Sequence, residues 1–78
     1  MPGGEHEMPT VRELRLRQLW SQRELARRAG VAEGTIVTIE TGQRPPRLLT
    51  MRRIADALGV DWAEIDEFRQ AVEGKVAA

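Results

Sequence analysis

The sequence predicts an all-α fold, a compact bundle of five short helices, on three observations. Apolar residues recur at helical spacings of three and four, and no stretch alternates as a half-buried strand does. Thr10, Ser21 and Asp61 each precede an acid by three positions, the pattern of a capped helix start. Gly30, Gly42 and Gly59 stand where the apolar runs stop, as glycine does just past a helix end.

Residues 1–9 hold two prolines and two glycines without periodicity and read as a flexible arm. Thr10 and Glu13 form a capping box for helix 1, which carries Val11 and Leu14 on one face and runs to about Leu19. Ser21 caps helix 2, Glu24 completes a second capping box, and Leu25, Ala26 and Ala29 make its buried stripe. Gly30 supplies a left-handed turn, Val31 plugs it, and helix 3 begins near Glu33 with Ile36 and Ile39 inward. Pro45 and Pro46 stiffen a loop over residues 43–47. Helix 4 spans Leu48 to Leu58 and buries Leu48, Met51, Ile54, Ala55 and Leu58. Asp61 caps helix 5, with Trp62, Ile65 and Phe68 on its apolar side. The domain therefore occupies residues 10–73, and residues 74–78 are expected to fray.

A chain of 78 residues holds one small domain and no deep catalytic cleft. Its apolar content of 41% is enough for a core. The absence of cysteine excludes disulfides and thiolate metal sites and fits a reducing cytoplasm. No apolar run is long enough to span a membrane, and the N-terminus has no signal pattern. His6 is the one histidine and lies in the arm, so no catalytic set, cofactor or metal site is expected, and no enzyme.

The formal net charge is zero, but it is unevenly spread. Between Pro9 and Val60 ten arginines face five acids, a local excess of +5, while both ends are acidic. A basic middle attracts phosphates. The segment SQRELARRAGVAEGTIVTIE (residues 21–40) concentrates the signal. Two helices of about two turns meet through Ala-Gly-Val, with the small Ala26 where they cross, and such a pair exposes its second helix to a major groove.

The motifs SQRELARRAGV (21–31), TIVTIETG (35–42) and IADALGV (54–60), with Leu14-Arg15 before them, resemble the Xre/Cro-type, phage-repressor-like helix-turn-helix proteins. The likeness covers about Val11 to Ile65. It implies a bundle of the phage-repressor DNA-binding type, with helices 2 and 3 as the helix-turn-helix. It also implies a sequence-specific transcriptional regulator, a repressor that binds double-stranded DNA at a pseudo-palindromic operator as a homodimer in the cytoplasm. By the same likeness, Gln22 contacts phosphate or braces a base-reading side chain, and Arg15 and Glu40 form a partly buried ion pair of structural purpose. Helix 3 is the recognition helix, with Glu33, Gly34, Thr35, Val37 and Thr38 outward. Thr35 and Thr38 can hydrogen-bond a base or phosphate, and Val37 can pack on a thymine methyl. Glu33 accepts from a cytosine amino group or is only a favourable first-turn charge. Ala32 departs from the Ser or Thr that usually caps this helix, and Gly34 weakens it.

Arg44 and Arg47 flank the two prolines and are expected to clamp phosphates. Arg23 is a further expected contact, Arg27 and Arg28 are less defined, and Arg52 and Arg53 either touch backbone or solubilise helix 4. Trp20 is read as core. Trp62, Ile65 and Phe68 are the expected dimer surface. The competing reading is a protein-interaction module, such as an antitoxin, which Glu33, Gly34 and the zero net charge favour.

Overall fold

The computed structural model describes residues 8–77, with side chains for residues 8–74. Among the described residues there is no strand, and the helices are α1 (Val11–Arg17), α2 (Gln22–Ala29), α3 (Glu33–Glu40), α4 (Leu48–Leu58) and α5 (Asp66–Ala77). A single 3-10 turn, Trp62–Glu64, precedes α5. This is the expected all-α bundle, and α2 packs on both α3 and α4.

The core draws on every helix. Val11, Leu25, Ile36, Ile54, Ile65 and Phe68 are fully buried, with Leu14, Ala26, Ala29, Ile39, Met51, Ala55 and Leu58 beside them. Trp20 and Val31 pack against its edge, half-buried. Burying a Leu, Ile or Phe side chain contributes about 1.5–3 kcal/mol relative to exposure, so this cluster is the main cohesive term in a chain this short.

Four helices end in the same way, on a left-handed residue whose successor donates its N–H five residues back; after α3 that residue is Gly42, at φ +72°, with Gln43 N–H on the Thr38 carbonyl at 3.1 Å. Gly30 has φ +72°, and Val31 N–H donates to the Ala26 carbonyl at 3.0 Å. Gly59 has φ +74°, and Val60 N–H reaches the Ala55 carbonyl at 3.1 Å. The remaining end, that of α1, is built on Leu19 at φ +62°, and Trp20 N–H donates to the Arg15 carbonyl at 3.2 Å. A side chain with a Cβ is strained in this region, and Leu19 compensates with no packing, since it is 92% exposed. That turn is also why α1 stops at Arg17, with Gln18 capping it, instead of running to Leu19.

Several expectations need correction. Ser21 accepts the Glu24 N–H at 3.0 Å, but the Glu24 carboxylate does not close a capping box. It binds Arg27 and Arg28, which offer charged donors three and four residues along the same face. Leu48 is 61% exposed, because no element of the described chain lies over the first turn of α4. Asp61 accepts the Ala63 N–H and so caps the 3-10 turn, and α5 starts five residues later than Asp61. The expected frayed tail is helical to Ala77. Met8 and Pro9 do not belong to a free arm: the Pro9 carbonyl accepts the Asp66 N–H at 2.9 Å, and Met8 Sδ lies 3.9 Å from Arg69 Nη1. Residues 1–7, which include the rest of the expected arm and His6, lie outside the described residues. The dimer surface expected at Trp62, Ile65 and Phe68 fails for two of its three members, because Ile65 and Phe68 are fully buried within one chain.

Candidate nucleic-acid interface

The candidate site is built on the turn between α2 and α3. Gly30 redirects the chain, and Arg53 Nη1 braces it by donating to the Gly30 carbonyl at 3.4 Å. Ala26 is 4% exposed at the meeting of the two helices, where a larger side chain would force them apart. Ile36 and Ile39 fix the inner face of α3. Ala32, at its N-cap, makes no side-chain cap, as the departure at this position implied.

Arg15 and Glu40 form the expected pair, and its geometry is a two-pronged fork. Arg15 Nε donates to Glu40 Oε2 at 2.7 Å and Nη2 to Oε1 at 3.0 Å. The third prong, Nη1, donates to the Trp20 carbonyl at 2.8 Å. The two side chains are 9% and 4% exposed, so the pair ties α1, the α1–α2 turn and the end of α3 together away from solvent.

Gln22 joins this network. Its Nε2 donates to Glu40 Oε1 at 3.1 Å. A carboxylate only accepts, so Glu40 decides which end of the amide faces it. Gln22 Oε1 and its second N–H are left for anything outside. The Gln22–Glu40 bond runs inward to the structural ion pair, and spacing alone did not reveal it.

Beside α3 lies an open groove of about 630 Å³ lined by Gly34, Thr35, Thr38, Arg44 and Arg47, five of the expected site residues. Glu33 is exposed at the first turn of α3, and Val37 is half-buried; neither lines the groove. Gln22 and Arg23 stand at the start of α2, outside it as well. Gln43, Pro45, Pro46 and Thr50 complete its far wall. Thr50 was absent from the expected set although its position carried a signal: it precedes the buried Ile54 by one helical turn, at the edge of the inward stripe of α4.

The arginines of α2 divide. Arg27 Nη2 and Arg28 Nε bind Glu24 at 2.6 and 2.7 Å. The hydrogen bond from Arg27 first, and that from Arg28 after it, hold the Glu24 carboxyl below its ordinary range; the same bond raises Arg27. Arg28 also stacks over Trp20, 4.3 Å from the ring centre. Arg23, Arg44 and Arg47 form no ion pair with any described residue. Among the described residues no three His, Cys, Asp or Glu side chains cluster as a metal site, and no helix is long and apolar enough to cross a membrane.

A short capped helix, a glycine turn and a second helix whose outer face borders a groove with two uncommitted arginines define a helix-turn-helix of the Xre/Cro-like type, and the chain belongs to the helix-turn-helix family, whose model matches residues 11–65. It is 43% identical over 54 residues to a protein of Methanothermobacter thermautotrophicus described as an uncharacterized HTH-type transcriptional regulator, across 69% of this chain and 78% of that one. No solved structure matches significantly.

Proposed function

We propose that this chain is a sequence-specific DNA-binding transcriptional regulator, a repressor that holds a pseudo-palindromic operator as a homodimer in the cytoplasm. α3 lies in the major groove, where Thr35 and Thr38 meet base edges or phosphate, Val37 meets a thymine methyl, and Gly34 allows close backbone approach. Glu33 accepts from a cytosine amino group. Arg44 and Arg47 grip phosphates, joined by Arg23 and by the free N–H of Gln22. Two copies then present their recognition helices about 34 Å apart.

The observation that carries this reading is the groove itself: the outer face of α3 on one wall, and two arginines without acidic partners on the other. The family and the relative support a regulator, a class that is not typically enzymatic. Selection from a random duplex library with the purified protein tests it. A recovered motif with internal twofold symmetry is the expected result. Recovery of no motif, together with no binding of mixed duplex at low salt, would overturn it.

A second reading, a protein-interaction module such as an antitoxin, draws on the exposed Glu33 at the lip of α3, which repels phosphate. Capture of a protein partner by the α3 face in place of DNA would favour it.

A further inference from the structure

We propose that Leu19 is a contact residue for the DNA backbone, its side chain laid against the deoxyribose beside the phosphate that Gln22 reaches. The inference rests on the reading of the protein as a DNA binder and adds a residue to that interface. Four helix ends in this chain close on a left-handed residue, and three of them use glycine: Gly30, Gly42 and Gly59. The end of α1 uses Leu19, at φ +62°, where a Cβ is strained. No packing within the chain offsets that strain, because the residue is 92% exposed. Strain that the fold itself does not use points to a use outside it. Leu16, whose carbonyl accepts the Leu19 N–H at 2.9 Å, is 46% exposed, so two large apolar side chains stand at this turn.

The charges around the turn point to a polyanion as the occupant. Residues 16–23 hold two arginines, Arg17 and Arg23, and no acid. Both arginines are exposed, and neither forms an ion pair with any described residue. The acid that follows, Glu24, is taken up by Arg27 and Arg28. Leu19 also lies at the entrance of α2, whose N-cap is Ser21, and the three residues of chain to Gln22 span at most about 11 Å. The turn is held in that place. Arg15 Nη1 donates to the Trp20 carbonyl at 2.8 Å, and Arg15 is locked on Glu40, which also takes the Gln22 amide. One braced unit therefore carries both the amide and the leucine. Protein–DNA contacts run to sugar as well as to phosphate, and an apolar side chain between cationic ones suits the C–H face of a sugar between two phosphates.

Titration of a mixed-sequence duplex with the full chain at several salt concentrations, beside thermal melts, tests this. Leu19→Gly should raise the melting temperature and yet weaken binding by roughly four- to fifteenfold, the worth of one or two methylene groups taken from water. The slope of log affinity against log salt should stay as it was, since an apolar contact releases no counter-ions. Leu19→Ala keeps the strained backbone and loses the same contact, so it should weaken binding nearly as much without the gain in melting temperature. Methyl signals of Leu19, identified by their absence from the Leu19→Gly spectrum, should shift when duplex is added. Unchanged duplex affinity in Leu19→Gly overturns the proposal and leaves the leucine to a protein partner. Wild-type affinity in Leu19→Ala alone assigns the effect to the backbone and overturns it as well. So does a salt slope lowered by about 0.9, or methyl signals that duplex leaves unmoved. A wild-type chain that binds no duplex removes the DNA-binding reading, and this inference falls with it; the other failures leave that reading standing.

Discussion

The carboxylate of Glu67 accepts the backbone N–H of Val11 at 2.9 Å, across 56 positions of sequence. An acid on the first turn of α5 thereby satisfies an amide at the start of α1 that the helix itself cannot satisfy. The neighbouring Pro9 carbonyl accepts the Asp66 N–H in return, so two helix starts are fastened to each other.

Burial pushes the Glu67 carboxyl above its ordinary value, outweighing the Val11 hydrogen bond that favours the charged form; Asp66 and Glu40 add smaller upward effects. The folded state therefore holds this proton more tightly than the unfolded chain. Its contribution to stability is fullest below the ordinary glutamate range and is lost as pH rises through the raised value. Glu67→Gln keeps an acceptor for Val11 and abolishes the titration. Denaturant midpoints should show the variant gaining on the wild type as pH rises from the acid side of that range to neutrality. A gap that stays constant with pH would exclude the effect.

Glu40→Gln should destabilise the fold by roughly 3–5 kcal/mol, because it leaves the Arg15 guanidinium charged, buried and without its counter-ion. Replacing both residues with apolar side chains should cost less than the sum of the single changes. Urea unfolding of the four-member cycle measures the coupling; strict additivity would show that the fork is energetically idle.

Leu19→Gly should stabilise the protein by roughly 0.5–1 kcal/mol, since it relieves a left-handed leucine that costs about 1–2 kcal/mol while freeing the unfolded chain somewhat. No packing is lost at a residue that is 92% exposed. Gly30→Ala is the mirror experiment: a Cβ there meets nothing within 4 Å, so any loss must come from the φ of +72° alone. The two thermal melts should move in opposite directions, and a shared direction would contradict the conformational argument.

Arg44→Ala should weaken binding to all duplexes alike and lower the slope of log affinity against log salt by about 0.9, one phosphate contact. Thr38→Ala should change the preferred site instead. A salt titration with an unchanged slope removes Arg44 from the interface, and an identical selected motif removes Thr38 from base reading.

Much of the fold was legible because local chemistry sets it. Thr10 and Ser21 announce helix starts through short-range capping, and the spacing of Met51, Ile54, Ala55 and Leu58 names the inward face of α4. What escaped depends on distant parts of the chain. Periodicity cannot say whether anything covers Leu48, and it cannot tell a 3-10 turn from the first turn of a helix at Trp62. The Glu24 carboxylate had two local partners to choose between, its own cap and two arginines, and charge decided. For the site, the arginines of the proline loop were identifiable by composition. The link from Gln22 to Glu40 was not, because it spans two helices.

The fork on Glu40 has a consequence for descent. It clamps α3 from its far end while Ile36 and Ile39 hold it from beneath, so the main fastenings of the helix lie outside the half-buried Thr35, Val37 and Thr38. Replacements there leave the Arg15–Glu40 fork and the buried Ile36 and Ile39 untouched. With base reading by those few side chains, as proposed above, gene copies of this chain would be free to drift toward new targets with the frame beneath them unaltered.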